Sequence, residues 1–215
     1  MRTFVTAWTQ DTAVLRDCLS LLDRYYPLEV TTDVAEAQEP KSNQLMRLLS
    51  SLDDEYLILM EGDFFLTREV NRSVLFRIEE FCKLHKADRF SLQSRFAHQI
   101  PSWTQTELRL GDSIVYRTNP DIRISFSLEA SIWRREFLLD HLEPGCTDAQ
   151  IENLVSDRIR NQEVGIYALD QPTIVYCDAV RGGKQVIHIQ EYPLRLHSED
   201  PIALHPLGPN NLILS

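Results

Sequence analysis

The stretch Tyr56-Leu57-Ile58-Leu59-Met60-Glu61-Gly62-Asp63 decides the fold. Five apolar residues in a row, without alternation, are what a strand buried on both faces requires, and such strands lie inside mostly parallel sheets covered by helices. The carboxylates that follow fall at the strand's carboxyl end, the edge at which open α/β sheets bind ligands. A carboxylate pair beside a core is costly unless a cation or hydrogen-bond donors meet it. Two hard oxygen donors suit Mg2+ or Mn2+, which also coordinate phosphates. The plainer reading of the tripeptide is a solvated acidic turn, or Asp63 capping the next segment.

Working outward, Arg2 to Trp8 is a β-branched and aromatic run, and Thr9-Gln10-Asp11 can cap a helix carrying Val14, Leu15, Cys18, Leu19 and Leu22 on one face. Leu28 to Asp33 reads as a second strand ending in a carboxylate. Ser42 opens a helix through Leu45, Met46, Leu48 and Leu49, a third helix is expected at about 70–86, and Arg89 to Leu92 is a fourth strand. Strands alternating with helices predict an α/β domain with right-handed crossovers. From Trp103 the pattern changes. Glu107–Leu110 and Ser113–Tyr116 around Gly111-Asp112 predict a hairpin, and Arg123 to Leu128 alternates like an antiparallel strand. Helices are expected at Ile132–Leu142 and Asp148–Arg160, and short strands at Ile166–Leu169 and Thr173–Tyr176. Arg181-Gly182-Gly183-Lys184 then breaks the regular structure, and four prolines after Tyr192 point to an extended arm.

Composition narrows the function. The 215 residues carry 22 Lys+Arg against 32 Asp+Glu, a formal charge of -10, which opposes non-specific binding to nucleic acid or anionic lipid. Most of the cations are Arg, whose planar fork suits phosphate. Cys18, Cys82, Cys146 and Cys177 show no zinc-type spacing and are expected to be reduced. Neither a signal-peptide core nor a membrane-length apolar run is present in the sequence, so a cytoplasmic protein is expected. The absence of GxxxxGK[ST] and GxGxxG patterns argues against P-loop NTPases and Rossmann dehydrogenases.

With these motifs in place, the run from Tyr56 through Glu61-Gly62-Asp63 to Phe64-Phe65-Leu66 resembles the acidic DxD-type signature of GT-A-fold glycosyltransferases, in the form seen in bacterial and viral members. Phe126 to Leu138 is similar to their segment in which a strand leads to a Trp and a helix, and Ile151-Glu152 and Asp178 to Lys184 follow in the same order. This chain departs from the pattern in having Glu61-Gly62-Asp63 where the family has Asp-x-Asp. The resemblance implies a Rossmann-type, GT-A-like α/β fold with a mixed, mostly parallel central sheet flanked by helices. It implies a single domain over residues 1–192, with a nucleotide-binding half at 1–100 and an acceptor half at 101–192; the arm would span 193–215.

The resemblance also implies roles. Asp63 would bind Mn2+ or Mg2+ bridging the phosphates of a UDP-, GDP- or dTDP-sugar, with His188 as a candidate further ligand. Glu61 would contact the ribose or a metal-bound water. Thr6, Trp8 and Asp33, at the ends of the first strands, would hold the nucleoside. The Gly pair between Arg181 and Lys184 lets backbone N–H groups turn toward an anion, as a loop closing over the diphosphate would need. Transfer to a glycan hydroxyl by inversion needs a base. Asp148 and Glu152, spaced i, i+4, share a helix face. Thr147 and Gln150 also spell a capping box, in which Asp148 complements the helix dipole. Glu152 matches the family's carboxylate and is the preferred base. Two other readings stand beside the transferase: a sugar nucleotidyltransferase, and a non-catalytic carbohydrate- or partner-binding module.

Overall fold

The computed structural model describes residues 1–8, 12–36, 38–92, 103–119, 126–160, 162–178, 180–181 and 184–185. Its strands are β1 (Arg2–Trp8), β2 (Val30–Ala35), β3 (Tyr56–Glu61), β4 (Phe64–Leu66), β5 (Arg89–Ser91), β6 (Trp103–Leu110), β7 (Ser113–Thr118), β8 (Ser131–Arg134), β9 (Ile166–Leu169), β10 (Tyr176–Asp178), β11 (Val180–Arg181) and β12 (Lys184–Gln185). Its helices are α1 (Thr12–Tyr25), α2 (Lys41–Ser50), α3 (Arg72–His85), α4 (Arg135–His141) and α5 (Asp148–Ile159).

Eight strands form one sheet in the order β2-β1-β3-β8-β5-β9-β7-β6. β1 pairs in parallel with β2 and β3, and β5 with β9, while β8 runs antiparallel to both β3 and β5. With β7 antiparallel to β9 and to β6, only β8 and β7 oppose the direction of the other six. The mostly parallel, mixed sheet expected from the apolar run is therefore present.

Alternation along the strands feeds two cores. Tyr56, Ile58 and Met60 pack with Val14, Cys18 and Leu22 of α1 and Leu75, Ile78 and Cys82 of α3. Leu57 and Leu59 point to the other face, against Leu45 and Leu49 of α2, Phe137 of α4 and Ile151, Val155 and Ile159 of α5. A strand that serves both layers has no polar position to spare, which is why its apolar run is unbroken. Helix α3 starts where the Asn71 side chain accepts the Ser73 N–H at 2.9 Å and stops where Lys86 turns left-handed at φ 49°. No helix among the described residues is long and apolar enough to cross a membrane.

Several expectations need correction. Ile132 to Arg134 is strand, and the helix begins only at Arg135. Ile132 and Trp133 are fully buried between β3 and β5, and backbone pairing on both sides decides their conformation. Phe126 to Leu128, expected in a strand, are irregular, and residues 123–125 lie outside the described set. The strand expected at Thr173–Tyr176 runs instead from Tyr176 to Asp178, because it pairs with β4, whose three residues sequence reading does not separate from the acidic turn. β2 extends past Asp33 to Ala35, so that carboxylate is not at the strand's end. The flanks of Gly182-Gly183 are not irregular either: Val180 pairs with Gln185 and Arg181 with Lys184. The hairpin expected around Gly111-Asp112 forms, with Gly111 at φ 65° in its turn, and its first strand starts earlier than expected, at Trp103.

Gly62, just past the end of β3, faces Ala7 of β1 and Leu15 of α1. Its N–H donates to Thr6 O at 2.9 Å, and a Cβ there would stand 2.8 Å from Ala7 Cβ and 3.1 Å from Leu15 Cδ1. The half-buried Leu15 side chain can turn aside, but Ala7 Cβ is fixed to the β1 backbone and cannot. Gly62→Ala should therefore lower stability by about 1–3 kcal/mol, seen as a lower urea midpoint at unchanged slope. A wild-type midpoint would mean that this approach is not constrained.

Candidate functional site

The carboxyl ends of β1, β3 and β5 and the amino end of the reversed β8 share one edge of the sheet, since Leu59 and Ser91 both pair with Ser131. The acidic tripeptide therefore opens beside the segment Phe126–Ala130 that enters β8.

Glu61 ends β3, and its Oε1 lies 2.8 Å from Nζ of Lys41, the first residue of α2. Lys41 is 2% exposed, and its ammonium also donates to Thr6 Oγ1 at 2.9 Å. Thr6 is itself buried, so its hydroxyl belongs to the floor of the site. Lysine at a helix start opposes the helix dipole. A carboxylate in front of it reverses that penalty, which is the role Glu61 fills.

The start of α2 also places α5. Gly145 N–H donates to Asn43 Oδ1 at 2.9 Å, Cys146 N–H to Ser42 Oγ at 2.8 Å, and Ser42 N–H to Cys146 O at 3.1 Å. The next turn opens α5, with the Gln150 side chain accepting the Thr147 N–H at 2.9 Å, as the expected capping box requires. Asp148 consequently comes within the fields of both Glu61 and Lys41. Burial, then the Glu61 charge, push its carboxyl above the usual range, while Lys41 pulls the other way. Among the described residues, Asp148 Oδ1 is buried with no hydrogen-bond partner. One turn on, Glu152 Oε1 accepts the Leu128 N–H at 2.9 Å. Burial raises the Glu152 carboxyl too; the Leu128 bond and the Arg89 charge oppose this, and Glu61 and Asp148 add to it. The fold thus brings the two expected base candidates into electrostatic reach of the acidic motif.

The other expected site residues are distributed as follows. Asp63 is half-buried one residue beyond Gly62; burial, and after it the Asp63 charge, push the Cys18 thiol up to about 12. Asp33 is held by Arg47, whose Nη1 and Nη2 lie 2.9 and 3.2 Å from its two oxygens, and Glu39 shares the same guanidinium at 3.2 Å. The backbone of Trp8 ends β1, and those of Arg181 and Lys184 form the β11–β12 ladder; His188 lies outside the described residues. Among the described residues no group of three or more His, Cys, Asp and Glu is arranged to hold a metal.

Sequence reading does not single out Lys41, Arg89 or Glu129. Arg89 is 2% exposed, and its Nη2 is 2.7 Å from Glu129 Oε1, which also accepts from Ser91 Oγ at 2.7 Å. The available signal was the Lys that opens α2, a cation set at the wrong end of a helix dipole.

A sheet of this order, with its polar groups at the carboxyl edge, is a GT-A-like α/β fold. Among solved structures, the chain is similar to S. aureus TarS 1-349 (TM-score 0.51, 13% identity, 82% of this chain and 60% of that one). The same protein in complex with UDP gives a TM-score of 0.51 at 14% identity over 82% of this chain and 60% of that one. The longer S. aureus TarS gives 0.53 at 13% identity, covering 84% of this chain and 37% of that one. This chain spans 60% of the length of the 1-349 form of TarS. No family model and no curated protein sequence matches the chain.

The raised Asp148 carboxyl has a thermodynamic sign. A folded-state value above the unfolded one means the native state holds the proton longer, so this group's contribution is fully present below the unfolded value of 3.8 and is lost as pH rises through the folded one. Asp148→Asn should accordingly be more stable than wild type at about pH 7 and equal to it near pH 3, measured as urea midpoints. A variant less stable than wild type at neutral pH would show that Lys41 attraction outweighs burial.

Proposed function

We propose that the chain is a metal-dependent glycosyltransferase that moves a sugar from a nucleoside diphosphate to a glycan hydroxyl. The observation that carries this reading is that Asp148 and Glu152, on α5, lie within the field of Glu61, the first carboxylate of the acidic motif, at the carboxyl edge of a GT-A-like sheet. The UDP complex of a similarly folded chain supports a nucleotide donor.

Within this reading, Glu152 is the base. It takes the proton of the acceptor hydroxyl as the oxygen bonds to the anomeric carbon, and the electron pair of the breaking bond leaves with the diphosphate. A carboxyl raised by burial works closer to neutral pH, where general-base help is worth about 10²–10⁴ in rate. The donor set fits a hard divalent cation: Mg2+ and Mn2+ are commonly held by one or two carboxylates plus waters and phosphate oxygens, and Asp63 offers one such carboxylate next to the strand end. The metal would offset the charge building on the leaving diphosphate. Lys41, Thr6 and Glu61 form the floor; Asp33 with Trp8 borders the nucleoside, and Arg181 and Lys184 close over the phosphates.

Two measurements test the reading. Calorimetry should find UDP or GDP binding that requires Mn2+ or Mg2+ and is lost in Asp63→Ala; equal affinity in EDTA overturns the metal assignment. With a panel of UDP-, GDP- and dTDP-sugars, Glu152→Gln should lower turnover by about 10²–10⁴ while donor affinity stays near wild type, since a base acts in the transition state. Wild-type turnover in both Glu152→Gln and Asp148→Asn overturns the base.

A further inference from the structure

Beneath the acceptor half lies a fully buried cation that the proposed chemistry does not use. Arg89, the first residue of β5, donates from Nε to Ser131 Oγ at 3.0 Å and from Nη2 to Ser127 Oγ at 3.3 Å and Glu129 Oε1 at 2.7 Å. Its guanidinium carbon also lies 4.9 Å from the centre of the Trp133 ring. Taking a guanidinium wholly out of water costs several kcal/mol, and burial pulls its pKa down despite Glu129. An apolar side chain would fill the same volume at less cost.

What the charge holds is one short strap. Ser127, Glu129 and Ser131 alternate along the segment that follows Phe126 and runs into the first residue of β8, and all three engage Arg89. The intervening backbone faces α5: Phe126 N–H donates to Ser156 Oγ at 3.2 Å and Leu128 N–H to Glu152 Oε1 at 2.9 Å. Glu152 and Ser156, four apart, share one face of α5. The strap is thus gripped from β5 on one side and grips the candidate base on the other.

We propose that Arg89 is a positioning residue for Glu152: through Ser127, Glu129 and Ser131 it fixes the strap whose Leu128 N–H holds one carboxylate oxygen of Glu152. The inference rests on Glu152 being the base for its catalytic meaning, but the mechanical coupling stands apart from it. Four neighbours act on the Glu152 carboxyl: the Leu128 N–H of the strap, Arg89 of β5, Glu61 of β3 and Asp148 of α5 itself. Arg89 is the cation of this set, so it favours the ionised carboxylate both directly and through the strap.

The test needs no substrate. In the full chain with 13C-labelled Glu carboxyls, Arg89→Met should move the Glu152 titration midpoint up by about half a unit or more. It should also speed exchange of the Leu128 amide about tenfold, while β1 and β3 amides keep their protection. Arg89→Lys should recover part of the midpoint shift. A loss of structure alone would speed exchange throughout the sheet. Should Arg89→Met not fold, Glu129→Gln decides instead: it keeps the side-chain shape, weakens the grip, and should speed Leu128 exchange several-fold. An unchanged Leu128 exchange rate and Glu152 midpoint, in whichever of these variants folds, overturns the proposal. Failure of the base reading is seen separately, as wild-type turnover in Glu152→Gln with the Arg89 coupling intact.

Discussion

The ammonium of Lys41 holds the working edge of the molecule together. It lies out of water between Thr6 of β1 and Glu61 of β3, at the first residue of α2. Three elements distant in sequence meet at one charge. Buried ions are tolerated only with close partners, so the position of each of these elements constrains the other two. The neighbouring bonds from Ser42 and Asn43 carry the constraint on to the turn before α5, which is why Asp148 arrives near Glu61. The site is assembled by polar contacts at helix starts, over apolar layers that set only its general place.

This division explains what could be read in advance. The apolar run at Tyr56–Met60 and the helical spacing of Val14, Cys18 and Leu22 are local patterns, and the elements they indicate are present. The Asp148–Glu152 pair was legible because i, i+4 spacing is a property of one helix. Ile132-Trp133 was not: followed by Arg134-Arg135-Glu136-Phe137-Leu138, it continues a helical pattern, and only pairing with β3 and β5 makes it strand. Lys41 and Arg89 look like surface cations in sequence. Their burial follows from partners 20 and 40 residues away, Glu61 and Glu129, and no local pattern reports such a pairing. Phe64–Leu66 is strand because Tyr176–Asp178 reaches it, an encounter equally invisible locally.

The two halves of the site differ in what holds them. On one side, Thr6, Asp33 and Glu61 sit on neighbouring parallel strands in fixed register, Thr6 opposite both Asp33 and Glu61. Sheet hydrogen bonds determine their spacing. On the other, Glu152 rides on a helix and is met by the strap leading into β8, which is tied down through side chains of β5. A register fixed by backbone bonds beside a helix adjusted by individual side chains lets substitutions in the strap shift Glu152 without disturbing the sheet.

The reversed strand β8 carries a cost that falls on the chain while it is being made. It is the wedge between β3 and β5, yet it lies about forty residues after β5. Until Ser131–Arg134 leaves the ribosome, both of those strands have an open edge facing the place it will occupy. Contacts of such long separation form slowly, and unpaired edges invite association with other chains. The central pairing of the sheet is therefore a late event of synthesis, and the first ninety residues need shelter from one another before it happens.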